Sequence, residues 1–118
     1  MQNYKELKVW EKSHQLVLEI YQVTAKFPKE EVFGLTSQLR RAAASIPANI
    51  AEGCGKNTQL DLAKFLNISL GSANGIDYFL LLCKDLKYIS ETEFLELEDR
   101  INAVKAMLIN LITKVRSK

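Results

Sequence analysis

One run of residues limits the fold more than any other. Phe94, Leu97, Ile101, Val104, Leu108, Leu111 and Val115 follow one another at alternating steps of three and four. An α-helix brings such positions onto a single seam, and a seam this long calls for partner helices crossing at shallow angles. The same segment marks its own start. In Ser90-Glu91-Thr92-Glu93 the serine hydroxyl and the Glu93 carboxylate can satisfy free N–H groups reciprocally, a capping box.

The rest of the chain must supply the partners, and it has few breaks, with 2 Pro and 5 Gly. Three more segments show helical periodicity. The first runs from about Lys5 to Lys26 and stops at Phe27-Pro28, because proline disfavours helix in the residue before it. It carries Leu7, Trp10, His14, Val17 and Tyr21 on one stripe and Val9, Leu16, Ile20 and Val23 on another. Together these make an apolar face wider than one packing partner needs. The second segment runs from Leu35 or Thr36 to Cys54. It ends at Gly53-Cys54-Gly55, where glycine readily takes the left-handed conformation that closes a helix. The third starts after Thr58, a plausible N-cap, and reaches Leu86–Tyr88. Four helices with short connections predict an all-α, antiparallel up-and-down four-helix bundle, with residues 1–118 forming a single domain.

The second segment contains an anomaly. Leu35, Leu39, Ala42, Ala43, Ile46 and Ile50 share its core arc. Gln38, Arg41, Ser45, Asn49 and Glu52 share a neighbouring polar arc, and Arg40, Ala44, Pro47, Ala48 and Ala51 a third. Pro47 removes a hydrogen bond and clashes with the carbonyl of Ala43, at a cost of roughly 3 kcal/mol. Apolar periodicity keeps its phase across the proline, which predicts a kink at Ser45–Ile46 in preference to a break. The Ser45 hydroxyl is available to offset part of the cost. The alanine-rich side, with Ser69, Gly71, Ser72, Ala73 and Gly75 of the third segment, predicts close helix approach.

Several stretches in these segments resemble one family. They are Gln38 to Ala43, the run Ser45-Ile46-Pro47-Ala48-Asn49-Ile50-Ala51-Glu52-Gly53, Phe65-Leu66, Gly71-Ser72-Ala73-Asn74, Leu7-x-Val9-Trp10 and Phe27-Pro28. They resemble the 23S ribosomal RNA intervening-sequence family of bacterial four-helix-bundle proteins, over nearly the whole chain. The resemblance implies a homopentameric ring. It also implies kinship with the accessory protein of diversity-generating retroelements, a basic pentameric bundle that binds nucleic acid and a reverse transcriptase. The chain departs from the family pattern after Asn74, where Gly75, Ile76 and Asp77 stand in place of the usual glutamate and leucine; Asp77 is a partial replacement.

Chemical motifs are sparse. Glu11-x-x-His14 has the spacing of di-iron ligands in bundles, but that site needs a second such pair and the chain holds 1 His. His14 is therefore expected in the core or at an interface, and neither a metal nor a cofactor is expected. Gly53 to Thr58 departs from a phosphate loop at Ile50 and Asn57, and no strand precedes it. Ser45 has no histidine at helical reach, so no enzyme is expected. Arg41, Ser45, Asn49 and Glu52, with Gln38, read as a structural polar stripe in which Arg41 and Glu52 can form a buried pair.

With 16 Lys+Arg against 14 Asp+Glu, the total charge identifies no partner. Arrangement is more informative. Lys5, Lys8 and Lys12 recur on one side of the first segment. Arg40, Arg41 and Lys56 mark the second, and Lys114, Arg116 and Lys118 make a basic end. In an oligomer each patch is repeated, and repetition makes weak phosphate contacts useful. The expected function is non-enzymatic binding of RNA or DNA backbones by a homo-oligomer. A protein-interaction scaffold or accessory subunit with no nucleic-acid role is the alternative. Two scattered cysteines, Cys54 and Cys83, suit a reducing cytoplasm. No apolar run is long enough for a membrane span, and the N-terminus has no signal-peptide pattern.

Overall fold

The computed structural model describes residues 2–117. Four helices make up most of it: α1 (Lys8–Thr24), α2 (Leu35–Cys54), α3 (Gln59–Asp85) and α4 (Glu91–Arg116). α2 packs on α1 and α3, and α3 on α4, while α1 meets α4 more lightly. The extents are 45 × 24 × 20 Å. Each helix contributes to one shared core, including Leu16 and Ile20 of α1, Ile46 and Ile50 of α2, Leu66 and Ile76 of α3, and Ile101 and Leu108 of α4. Among the described residues no helix is long and apolar enough to cross a membrane.

The helix ends have local causes. α1 starts at Lys8, three residues later than the periodicity predicts. The Asn3 side chain accepts from the Lys5 N–H at 3.1 Å, holding a 3₁₀ turn over Tyr4–Glu6, and Leu7 is extended. Tyr4 then folds back edge-on to Trp10, with ring centroids 5.1 Å apart. α2 begins where the Glu31 carboxylate accepts from the Leu35 N–H at 3.0 Å, a negative charge at a helix N-terminus. Thr58 caps α3 by accepting from the Asp61 N–H. The Ser90–Glu93 capping box has both its bonds, at 2.9 and 3.1 Å.

Glycine does not close any helix in the left-handed region. Gly53 lies inside α2, and Gly55 follows it with φ −84°. The left-handed residue is Lys87, φ 66°, just past α3. There the Tyr88 N–H donates to the Cys83 carbonyl and the Lys87 N–H to that of Lys84, a Schellman closure.

α2 runs without a break through Pro47. Ser45 does not turn its hydroxyl to the helix's own backbone; it meets Ser72 Oγ of α3 at 2.9 Å and accepts from Asn49 Nδ2 at 2.9 Å. The buried Ser69 hydroxyl donates to the Ile46 carbonyl, also at 2.9 Å. Hydroxyls of α3 therefore meet α2 at Ser45 and at Ile46, the two residues before the proline.

Close approach occurs at a different glycine from the expected pair. A Cβ on Gly53 would lie 2.9 Å from both Leu62 Cδ1 and Phe65 Cβ, so this glycine lets α2 and α3 converge at their joining turn. Nothing lies within 4 Å of a Cβ added at Gly71 or Gly75. In α4 the buried seam runs Phe94, Leu97, Ile101, Val104, Leu108, Ile112 and Val115. Ile112 takes the place expected for Leu111, which sits half-buried beside it.

Candidate nucleic-acid interface

The candidate cations separate into an engaged group and a free one. Arg40 is half-buried and engaged. Its Nε donates to Thr24 Oγ1 at 2.7 Å and its Nη2 to the Tyr21 carbonyl at 3.2 Å, while the guanidinium lies 4.5 Å from the Tyr21 ring centroid. These bonds tie α1 to α2 and leave Arg40 little capacity for a ligand. Arg41 points to solvent on the neighbouring arc. Lys118 lies outside the described residues.

Lys5, Lys8, Lys12, Lys56, Lys114 and Arg116 are all exposed, and none forms an ion pair among the described residues. The antiparallel bundle gathers them toward one end. Lys8 and Lys114 line the same cavity between α1 and α4. Lys12 lines the next one along. Lys56 lines a cavity with Gln2, whose backbone N–H donates to the Cys54 carbonyl at 3.0 Å. Thus the start of α1, the end of α2 and the end of α4 lie together. Aromatic faces lie beneath two of these cations: Lys5 Nζ is 5.9 Å from the Tyr4 centroid and Lys56 Nζ 5.1 Å from that of Phe65.

Sequence order within α4 sharpens the polarity. From Glu91 to Asp99 it holds Glu91, Glu93, Glu96, Glu98 and Asp99; from Lys105 to its end it holds Lys105, Lys114 and Arg116 and no carboxylate. Lys105 is engaged, pairing with Asp77 of α3 at 3.1 Å. Asp77, the residue at the departure from the family pattern, therefore joins α3 to α4. The opposite end of the bundle is tied by carboxylates. Glu31 accepts from Tyr88 Oη at 2.9 Å, and Lys26 pairs with Glu93 at 3.1 Å. The Leu35 N–H and the Tyr88 hydroxyl hold the Glu31 carboxyl below the usual carboxylate range. The Ser90 N–H, then Lys26, does the same for Glu93.

The polar stripe divides. Ser45 and Asn49 are half-buried and joined to each other, Asn49 Nδ2 also donating to the Ser45 carbonyl at 2.8 Å. Gln38, Arg41 and Glu52 are exposed. The expected buried pair of Arg41 with Glu52 does not form, because eleven residues of helix separate the two by about 16 Å. Asn49 bonds only Ser45 of its own helix, while Ser45 finds its outside partner in Ser72 of α3; two hydroxyls three apart in an apolar helix, Ser69 and Ser72, were the available signal.

His14 is exposed and stacks on Trp10, centroids 5.2 Å apart and planes at 9°, so it is not a core residue. Among the described residues no three His, Cys, Asp or Glu side chains are placed to hold a metal. Cys54 and Cys83 are free and buried; burial, with a lesser contribution from Glu31, pushes the Cys83 thiol up to about 11.

Comparison with known proteins adds to this geometry. Residues 5–110 match a family profile described as "23S rRNA-intervening sequence protein". A similar solved structure is that of a protein of unknown function from the S23 ribosomal protein family of Bacteroides thetaiotaomicron. It shares 27% identity over 89% of this chain and 95% of its own, with a TM-score of 0.83. No curated protein matches the chain.

Proposed function

Since this chain belongs to the 23S rRNA-intervening sequence protein family, we propose that it is a non-catalytic, oligomeric bundle that holds nucleic-acid backbones at its basic end. One observation carries the reading: Lys5, Lys8, Lys12, Lys56, Lys114 and Arg116, dispersed in sequence, lie toward one end without ion pairs among the described residues. Unpaired lysines on a rigid frame lose little on meeting phosphate, and each contact releases counterions. Neighbouring Tyr4 and Phe65 supply ring faces on which an unpaired base can stack. The contacts are to backbone and carry no sequence information, so structured RNA, single-stranded RNA and duplex DNA are all candidates.

Affinity then comes from repetition. A homopentamer, as the family resemblance implies, displays each basic end five times, and several weak contacts act together on one strand. The opposite end carries the carboxylates of α4's first turns, which repel phosphate and orient the strand toward the basic end.

Gel shifts against the three nucleic acids across a salt series test the proposal. Binding is expected at low salt and falls steeply as salt rises. Replacing both Lys8 and Lys114 by Glu is expected to weaken it about tenfold or more and flatten the salt dependence. Absence of binding to all three at low salt would refute the proposal, as would indifference to the double replacement.

A further inference from the structure

Where α1 ends and α2 begins, away from the basic end of the bundle, lies a cavity of about 410 Å³. Its size and lining are those of a small-molecule pocket, mostly apolar with a few polar groups. Ala25, Phe27, Pro28 and Val32 supply the apolar walls. Lys29 and Arg40 supply two positive charges, and no carboxylate stands among the described residues around it. The nearby Glu31 carboxylate is held elsewhere, by the Leu35 N–H and the Tyr88 hydroxyl.

The polar groups differ in what they have left to give. Thr24 Oγ1 donates to the Ile20 carbonyl and accepts from Arg40 Nε, each at 2.7 Å, so its proton is spent. Thr36 lies one helical turn before Arg40 on the same face of α2 and is only 7% exposed. Its hydroxyl has no hydrogen-bond partner among the described residues. Every described side-chain N or O atom that is fully shut off from solvent does have one, so the Thr36 hydroxyl opens into the cavity it lines. A hydroxyl in so buried a residue is completed by an acceptor brought in from outside. Lys29 is exposed and forms no ion pair among the described residues.

We propose that this cavity binds a small organic carboxylate whose apolar body is about the size of one ring. The carboxylate accepts from the Thr36 hydroxyl and pairs with Lys29, and the ring lies against Phe27, Pro28 and Val32. Arg40 has its donors committed to Thr24 and the Tyr21 carbonyl, so it acts by charge alone. A fixed positive wall offsets part of the cost of taking an anion out of water. Two cations repel an amine, and a neutral ring gains only apolar contact and one hydrogen bond. The site lies at the other end of the bundle from the phosphate-binding surface and does not depend on that reading.

Saturation-transfer NMR on the full-length chain is the test, with benzoate as the probe and benzamide as its neutral counterpart. Benzoate is expected to bind with a Kd of about 1 mM, and benzamide about tenfold more weakly. Thr36→Val keeps the side-chain volume, removes the hydroxyl and is expected to weaken benzoate about fivefold. Lys29→Met keeps the stem, removes the charge and is expected to weaken benzoate while leaving benzamide unchanged. Ala25→Trp, at the exposed rim, fills the cavity and is expected to abolish binding of both with helical dichroism unchanged. The proposal is overturned if benzoate fails to bind below about 10 mM, if benzamide binds as tightly, or if a folded Ala25→Trp binds benzoate like the wild type. Unchanged benzoate affinity in both Thr36→Val and Lys29→Met overturns it whether or not Ala25→Trp folds. Displacement of benzoate by single-stranded RNA also overturns it, because that assigns the cavity to phosphate backbones.

Discussion

Gly53 shows how one missing methyl group places two helices. With Leu62 Cδ1 and Phe65 Cβ each 2.9 Å from where a Cβ would stand, any larger residue must push α3 away from the end of α2. Gly53→Ala gains up to about 1 kcal/mol of helix propensity and loses about 1–3 kcal/mol to overpacking. The variant is expected to be less stable, with a lower urea midpoint at an unchanged slope. Glu31 gives a second effect at this scale. Its folded pKa lies below the ordinary 4.5 because it accepts from the Leu35 N–H and the Tyr88 hydroxyl. A depressed carboxylate pKa contributes stability that is complete above the unfolded value and is lost as pH falls through the folded one. The stability gap between the wild type and Glu31→Gln is therefore expected to be widest above about pH 5 and to narrow toward about pH 3, as denaturant titrations across that range will read.

Among the elements, α2 and α3 depend on each other. Pro47 weakens α2 from within, and the Ser69 hydroxyl on the Ile46 carbonyl and the Ser45–Ser72 contact bind the same stretch to α3 from outside. A helix that carries an internal proline is held here by its neighbour. α3 ends differently, in a Schellman turn whose left-handed position is occupied by Lys87, φ 66°. A lysine there bears a steric cost that glycine avoids. Lys87→Gly is expected to stabilise the protein by about 0.5–1 kcal/mol, seen as a raised thermal midpoint. An unchanged or lowered midpoint would show that the lysine side chain contributes more than its backbone costs.

Across the molecule, apolar surface remains that the single bundle does not cover. On α3, Leu60, Ile68 and Tyr78 are each more than half exposed, and the open positions Gly71 and Gly75 lie between the last two. On α1, Leu18 and Tyr21 are exposed on the same side as the half-buried Trp10 and Val17. Phe33, between α1 and α2, is 94% exposed, a cost in water that a neighbouring copy would remove. α1 and α3 occupy opposite corners of the bundle, so its two exposed apolar faces are unlike, and a contact between them would be head-to-tail. For the pentamer that the family resemblance implies, light scattering at micromolar concentration is expected to give about 67 kDa, five times the 13.4 kDa chain. A mass near that of the single chain would rule out the ring and, with it, the multivalent route to nucleic-acid affinity.

Four helices, their order, and the starts of α3 and α4 were legible in the sequence, because periodicity and caps are local properties of ten or twenty residues. Ser90-x-x-Glu93 and Thr58 act within one helical turn, and the turn itself is enough to read them. The basic clusters were legible as members but not as a surface. Whether Lys8 meets Lys114, or Arg40 is consumed by Thr24 and Tyr21, depends on which helices lie side by side and in which direction. The same holds for Ser45, whose hydroxyl faces α3 instead of its own backbone, and for Gly53, whose role is set by Leu62 and Phe65. Local pattern determined where this chain turns helical. Packing over distances that no sequence window spans decided which charges were neutralised within the bundle and which were left exposed to solvent.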